Sequence, residues 1–266
     1  METGFVQAGG TRLQSFSHGV GDEIVVFVHG YSASGRIWRL VQEALNPERY
    51  RSIALSNRGA GDSDRTNREE DYTVEAFAAD LFGAIRTLDL RNFTLVGHSM
   101  GAATVTQFAL DHQSVLKALV LLDPAPLDAR ARSTPPGGGE RRQSISDVDD
   151  ARAPAEFLQA LQADIDRNPP ERASGGRKSM SQLRLRERLS ELTMPVLVVG
   201  GDRDRLVGVD NILGEYLALP IVTRSLQIFH GAGHSPNKSV PVELARALEL
   251  FVGETVPRLR EERTPL

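Results

Sequence analysis

Short apolar runs alternate with amphipathic segments along most of the chain. The run Ile24–Val28 has no polar position, which is typical of a parallel strand covered on both faces. The segment after Thr73 instead repeats apolar residues at helical spacing, which predicts an amphipathic helix with Thr73 as its N-cap. The predicted strands are a hairpin over 5–16 and single strands at 24–28, 51–55, 93–96, 116–122, 195–199 and 224–229.

Helices separate most of these strands, and the alternation predicts an α/β fold, a mostly parallel eight-stranded sheet with helices on both faces. The alternation stops at 125–193, where proline and glycine clusters, frequent arginines and a helix over 153–167 replace the strands. We interpret 125–193 as a helical insertion that covers the sheet as a lid; the alternative is a long surface excursion without that role. The predicted domains are a core of 1–124 and 194–254, the insertion, and a C-terminal tail at 255–266 that is expected to fray.

One serine lies where a strand is expected to turn sharply into a helix. The segment 97–101 reads GHSMG, a G-x-S-x-G pattern between the strand at 93–96 and an apolar helix. Glycines two positions from the serine lack a Cβ, so the strand and the helix can pack closely around the turn. The helix N-terminus offers N–H groups to a developing negative charge. The pattern therefore indicates Ser99 as a candidate nucleophile.

Several other polar residues follow directly after predicted strands. The carboxyl ends of the strands in an open parallel sheet form one crevice, so these side chains are expected to face it together. A serine hydroxyl needs a base that takes its proton, and the base needs an acid that orients it. The chain offers a serine, then three candidate acids, then a histidine. The residues concerned are His29, Ser99, Asp123, Asp202, Asp204 and His234.

Motifs at four of these positions resemble those of the α/β-hydrolase fold family, and the resemblance covers roughly 5–252. They read HGYSAS from His29, GHSMG around Ser99, GDRDRLV from Gly201 and GAGHSPN from Gly231. The resemblance implies Ser99 as nucleophile, His234 as base, and an acid after the seventh strand.

The acid has more than one candidate. The family pattern G-x-x-D-x-x-V falls on 201–207, which favours Asp204. Asp202 is then expected to be a turn residue, or a residue that orients the loop. Asp123, after the sixth strand, occupies a less common position for the acid and stays open as an alternative.

The resemblance also implies an oxyanion hole made by the backbone N–H groups of Tyr31 and Met100. His29 is expected to shape the oxyanion loop, and His98 is expected to pack beside the nucleophile. Together with Phe157 of the insertion, these two histidines are the candidates for the substrate pocket.

The expected reaction is hydrolysis of a carboxylic ester or lactone through an acyl-Ser99 intermediate, without a cofactor. The same triad would serve C–C bond hydrolysis of a diketone-like substrate or a cofactor-free perhydrolase activity, so both stay open. A third alternative, from another class, is a ligand-sensing protein on a hydrolase scaffold whose triad is slow or vestigial.

Composition narrows the range of partners. A net charge of -4 and a pI of about 5.9 give no electrostatic case for nucleic acid. The absence of cysteine excludes disulfides and thiolate metal sites, and no H-x-x-H, H-E-x-x-H or post-strand G-x-G-x-x-G spacing indicates a metal or a dinucleotide. We expect no signal peptide and no membrane span, since no apolar run approaches ~20 residues. The expectation is a cytoplasmic protein with a small-molecule substrate and an unpredicted oligomeric state.

The arginines of the insertion allow two interpretations. They either meet an anionic substrate or form a solvated face balanced by Asp147, Asp149, Asp150 and Glu156, and the second is favoured. The residues concerned are Arg130, Arg132, Arg141, Arg142 and Arg152.

Overall fold

The computed structural model describes residues 1–131 and 147–261, and its strands form one eight-stranded sheet. The strands are β1 (Glu2–Ala8), β2 (Thr11–His18), β3 (Glu23–Val28), β4 (Tyr50–Leu55), β5 (Phe93–His98), β6 (Leu116–Leu122), β7 (Val196–Gly201) and β8 (Arg224–Phe229). Their order across the sheet is β1-β2-β4-β3-β5-β6-β7-β8. Strand β2 is antiparallel to both β1 and β4, and every other pair of neighbours is parallel. The predicted mostly parallel eight-stranded sheet is confirmed.

Helices cover both faces of this sheet, as predicted. In the described residues they are α1 (Arg39–Ala44), α2 (Val74–Thr87), α3 (Met100–His112), α4 (Asp147–Asp150), α5 (Ala155–Asp166), α6 (Pro170–Gln182), α7 (Val209–Ala218), α8 (Pro236–Ser239), α9 (Pro241–Leu250) and α10 (Val256–Glu261). Shorter 3₁₀ turns occur at Gly35–Trp38, Glu69–Asp71, Gln113–Val115, Ala129–Ala131 and Arg186–Glu191. Thr73 caps α2 as predicted, since its side chain accepts a hydrogen bond from the N–H of Ala76.

Apolar side chains alternate along the strands and form two layers, one on each side of the sheet. Val26 and Val28 of β3 belong to the layer that contains the apolar faces of α2 and α3. Val25 and Phe27 point the other way and belong to the layer with α1 and α9. Because β3 to β8 all run parallel, their carboxyl ends lie at one rim of the sheet, between the two layers.

The segment 125–193 contains more helix than the sequence predicts. Helix α5 corresponds to the helix predicted over 153–167, but α6 was not predicted, because its Gly175–Gly176 pair is typical of a turn. Close packing explains these glycines. A Cβ at Gly175 would collide with the backbone carbonyl of Glu69, and one at Gly176 would lie 3.1 Å from the ring of Tyr31. Tertiary contacts therefore override local propensity here.

The C-terminal segment is also more ordered than expected. A π-helical turn at Phe251–Thr255 leads into α10, and Val256 is buried in the layer with α9, so the helical path continues past the predicted boundary at 255. Residues 262–266 lie outside the described residues, as do Arg132, Arg141 and Arg142 and the glycine run at 137–139. No helix among the described residues is both long enough and apolar enough to span a bilayer.

Candidate active site

Ser99 occupies a sharp turn between β5 and α3. Its backbone adopts φ 54° and ψ -120°, a conformation that side chains rarely adopt and that projects the serine away from the strand. The flanking glycines permit this turn. A Cβ at Gly97 would lie 2.5 Å from the carbonyl oxygen of Gly101, and a Cβ at Gly101 would lie 2.5 Å from the carbonyl oxygen of His29. The geometry is the strand-to-helix turn that the G-x-S-x-G pattern predicts.

Ser99, His234 and Asp204 form one hydrogen-bonded row. The distance from Ser99 Oγ to His234 Nε2 is 2.9 Å, and that from His234 Nδ1 to Asp204 Oδ2 is 2.8 Å. Because a carboxylate can only accept, Nδ1–H donates to Asp204 and leaves Nε2 to accept from the serine hydroxyl. All three side chains come from loops at the carboxyl ends of β5, β7 and β8.

The other oxygen of Asp204 is held by the backbone. Its Oδ1 accepts hydrogen bonds from the N–H groups of Leu206 at 2.7 Å and Val207 at 3.0 Å. Burial would raise the pKa of Asp204, but the hydrogen bond and charge of His234, together with these two N–H groups, hold it below its usual value. Asp204 is therefore ionised at neutral pH and oriented toward the imidazole.

The structure places the two alternative acids elsewhere. Asp202 accepts from the N–H of Gly231 and pairs with the exposed ring of His230, both at 2.6 Å, so it fixes the turn after β8. Asp123 is fully buried behind Asp204, and its Oδ1 accepts from the N–H of Gly201 at 3.0 Å. Burial and the neighbouring charge of Asp204 raise the pKa of Asp123 well above its usual value.

Asp123, Asp204 and His234 also form the one cluster of potential metal ligands found in the described part of the chain. Each offers an atom within 4.8 Å of the others. The arrangement does not fit a metal well, because Nδ1 of His234 is already bonded to Asp204 and its Nε2 faces Ser99. A metal bound at Nδ1 would replace the hydrogen bond that orients the imidazole.

The two predicted oxyanion donors lie beside the serine. Met100 is the first residue of α3, where N–H groups have no acceptor within the helix. The loop that carries Tyr31 approaches from β3, and a Cβ at Gly30 would lie 3.0 Å from Cβ of Ser99. A larger residue at position 30 would have to push the loop a few tenths of an ångström away from the serine.

His29 fixes the orientation of this loop and does not line the cavity. Its Nε2 accepts from the N–H of Asn57 at 3.0 Å, so Nδ1 carries the proton and donates to the carbonyl oxygen of Gly30 at 2.8 Å. Burial, and then the charge of Arg172, lowers the pKa of His29 well below its usual value, so the ring stays neutral. The bonded peptide group is the one whose N–H belongs to Tyr31, and polarisation by His29 strengthens that donor.

His98 holds the loop of His234. Its Nε2 lies 2.7 Å from the carbonyl oxygen of His234, to which it donates. Burial, and then the charge of His234, lowers the pKa of His98 to about 3, so this ring is neutral as well. His98 also lines the cavity beside Ser99, as expected of a pocket residue.

A cavity of about 530 Å³ opens next to Ser99 and His234. Its apolar lining comes from Ile37, from Leu206, and from Leu158, Leu161 and Ile165 of α5. Phe157 does not line it. Phe157 directly precedes Leu158 on α5, and its side chain points instead into the layer with α1 and α9, where it is 2% exposed.

Sequence analysis assigned no role at the active site to three polar residues of this region. Gln162 and Lys238 line the cavity, and Lys238 forms an ion pair with Asp150 of α4. Asp149, the third, bonds to the backbone on both sides of His234. Lys238 directly follows the GAGHSPN motif, a position that could have drawn attention to it. Asp149 was expected only as an acid of the solvated face, and its complete burial shows that this expectation was wrong.

The arginines that fall in the described residues do not line the cavity. Arg130 pairs with Asp128 and Glu187, and Arg152 is exposed near Gly231. Both side chains are exposed, as sequence analysis favoured, but the expected partners Asp149 and Asp150 bond instead to the loop of His234 and to Lys238.

Comparison with known proteins gives matches over nearly the whole chain. Residues 23–239 match the family model of the alpha/beta hydrolase fold. A non-heme chloroperoxidase of Kitasatospora aureofaciens is 29% identical over 242 residues, which span 79% of this chain and 84% of that protein.

Two solved structures illustrate the likeness in three dimensions. An esterase from Exiguobacterium antarcticum, 22% identical, gives a TM-score of 0.78 over 93% of this chain and 98% of its own. A mutant of the N-acyl homoserine lactonase AidH, complexed with N-hexanoyl homoserine lactone, gives 0.77 at 18% identity over 95% of this chain and 97% of its own. At these identities the likeness is one of fold.

Proposed function

Because the chain belongs to the alpha/beta hydrolase fold family, we propose that it is a serine hydrolase that cleaves a carboxylic ester or lactone through an acyl-Ser99 intermediate. The observation that supports this most strongly is the unbroken row of hydrogen bonds from Ser99 through His234 to Asp204, beside an apolar cavity. The insertion 125–193 supplies much of that apolar wall through α5, which agrees with a role as a lid.

In the proposed acylation step, His234 takes the hydroxyl proton of Ser99 as Oγ attacks the carbonyl carbon of the substrate. The N–H groups of Tyr31 and Met100 hold the developing oxyanion, a contribution of about 10²–10³ in rate for each donor. Asp204 stabilises the imidazolium that forms. His234 then gives the proton to the leaving alkoxide, and a water activated by His234 hydrolyses the acyl-Ser99 ester.

The cavity favours neutral substrates with an apolar acyl or alcohol part. The side chains of α5 give it an aliphatic wall, and the charge of Lys238 is balanced within the lining by Asp150. Arg130 and Arg152, the described arginines considered for an anionic substrate, do not line it. Both open-chain esters and lactones with alkyl side chains meet this description.

The decisive experiment compares the wild-type protein with Ser99→Ala on a panel of p-nitrophenyl esters and alkyl lactones. We expect the substitution to lower kcat by about 10⁴–10⁶, because the triad acts as a unit. A fluorophosphonate should label the wild-type protein stoichiometrically, and mass spectrometry should place the label on Ser99. Turnover by Ser99→Ala at the wild-type rate would refute the proposal.

The same panel, extended by a diketone, distinguishes two of the alternatives. A ligand-sensing protein would bind a panel member without multiple turnovers, even where the fluorophosphonate labels Ser99. A C–C bond hydrolase would turn over a diketone faster than any ester or lactone.

Perhydrolysis is a second candidate, and the chloroperoxidase relative is the observation that favours it. In this reaction hydrogen peroxide attacks the acyl-Ser99 carbonyl in place of water, which releases a peroxy acid and restores the serine hydroxyl. The test is peroxy acid formation from an ester and hydrogen peroxide, with Ser99→Ala as control. A carboxylic acid as the sole product would remove this candidate.

A further inference from the structure

Asp149 joins the insertion to the loop that carries His234. It lies on α4 and is fully buried. Its Oδ1 accepts from the N–H of Gly233 at 2.9 Å, and its Oδ2 accepts from the N–H of Ser235 at 2.8 Å. The two donors belong to the residues immediately before and after His234, so one carboxylate holds both sides of the histidine.

The loop that carries His234 packs closely against the carboxylate of Asp149 at Gly233. A Cβ at Gly233 would lie 2.6 Å from Oδ2 of Asp149, and the three nearest atoms to that position all belong to Asp149. Glycine at 233 is therefore required by the carboxylate itself. Charge-assisted hydrogen bonds from two N–H groups to one buried carboxylate are also stronger than bonds to a neutral acceptor.

Other hydrogen bonds hold the loop on either side, where the carbonyl oxygen of Ala232 accepts from the N–H of Arg203 at 2.9 Å and that of Ser235 accepts from the N–H of Lys238 at 2.8 Å. The carbonyl oxygen of His234 accepts from His98, and the ring bonds to Asp204 and Ser99. Without Asp149, two buried N–H groups beside the histidine would lose their acceptor, and the loop would have to move to satisfy them. A displacement of about 1 Å in such a row costs on the order of 10²-fold in rate.

We propose that Asp149 is a positioning residue that sets the geometry of His234 from within the insertion. The insertion would then hold the base in place as well as line the cavity. This inference rests on the proposed function, because it assigns a purpose to a loop whose histidine acts as the base.

The first test substitutes Asp149→Asn, which has nearly the same shape but turns an N–H₂ toward one of the two backbone donors. Glu156→Gln is the matched control, since it also removes one carboxylate from the insertion but at an exposed position of α5. Active sites are titrated with fluorophosphonate to completion, and kcat is expressed per labelled serine. A merely structural defect lowers the fraction of labelled protein without changing kcat per site.

We expect Asp149→Asn to lower kcat per site and the labelling rate by about 10- to 100-fold, with KM within about threefold of wild type. Glu156→Gln should leave all three values unchanged. Values for Asp149→Asn within twofold of wild type would overturn the inference. The proposed function would survive that result, because it depends on the labelling and turnover of the wild-type protein and on Ser99→Ala.

Gly233→Ala, which keeps Asp149 in place, tests the same contact if substitutions of Asp149 fold poorly, and a kcat per site within twofold of wild type would overturn the inference. Where Asp149→Ala folds, the two changes form a double-mutant cycle. Gly233→Ala should slow wild-type turnover, because its Cβ collides with the carboxylate of Asp149. The added effect of Gly233→Ala in an Asp149→Ala background should be at least fivefold smaller than in the wild type, since the clashing atom is gone. Equal effects in both backgrounds would also overturn the inference.

Discussion

Asp123 and Asp204 are two buried carboxyl groups in one region of low polarity, and only Asp204 carries a negative charge. Asp204 accepts from an imidazole and two backbone N–H groups, whereas Asp123 accepts from a single N–H group. Two carboxylates this close cannot both ionise cheaply. The raised pKa of Asp123 and the lowered pKa of Asp204 give the negative charge to Asp204 and a proton to Asp123.

This proton makes the stability of the protein depend on pH in a way that Asp123→Asn should reveal. Asp123 ionises in the unfolded chain near ~3.9, whereas burial and the charge of Asp204 raise its pKa in the folded protein, so unfolding releases a proton at any pH between these two pKa values. The free energy of unfolding therefore falls as the pH rises above ~4 toward the folded pKa. Asparagine imitates the protonated carboxyl and tolerates the φ of 40° at this position.

We expect Asp123→Asn to be more stable than wild type in urea denaturation at pH 7, and the difference to vanish near pH 4. Its kcat should stay within about threefold of wild type, whereas Asp204→Asn should lower kcat by about 10⁴ because it disfavours the required imidazole tautomer. If Asp123→Asn lost as much activity as Asp204→Asn, Asp123 rather than Asp204 would be the acid.

At the scale of elements, α6 supports the loop that carries Tyr31 through a backbone carbonyl group and an arginine side chain. Arg172 donates to the carbonyl oxygen of Tyr31, and the hydroxyl of Tyr31 donates to the carbonyl oxygen of Ala173. Gly176 lies against the ring of Tyr31. The helix can come this close only because two successive positions lack a side chain.

Gly175→Ala tests the close approach of α6 to the backbone carbonyl of Glu69. In an isolated helix the change would stabilise by about 1 kcal/mol, because alanine has the higher helix propensity. Here the new Cβ meets the carbonyl of Glu69, so we expect a net loss of about 1–3 kcal/mol in the free energy of unfolding. Ser181→Ala, at an exposed position of α6, is the control and should be neutral or slightly stabilising. A gain in stability for Gly175→Ala would show that the helix can shift without cost.

At the scale of the whole molecule, sequence reasoning succeeds where one residue type has one physical role. Apolar periodicity predicted the strands, and the strand–helix turn around Ser99 follows from its two glycines. Sequence reasoning failed where a contact with a residue distant in the sequence determines the local structure. Gly175 resembles a turn residue until Glu69 is seen against it, and Asp149 has no local pattern because its partners are backbone groups at 233 and 235. Phe157 and Leu158 are neighbours on α5 that point in different directions, so Phe157 packs in the core and Leu158 lines the cavity.

Helices α5 and α6 of the insertion contribute side chains to the core, and this has a consequence for unfolding. Phe157 and Leu161 belong to the apolar layer of Trp38, and Met180 belongs to the opposite layer. Heating should therefore produce one cooperative transition that includes the insertion. Phe157→Ala should lower the midpoint of that single transition through a loss of about 3–5 kcal/mol, whereas Leu217→Ala, at a side chain that is 63% exposed, should change it little. Two separate calorimetric transitions, with only the first sensitive to Phe157→Ala, would show that the insertion folds independently of the sheet.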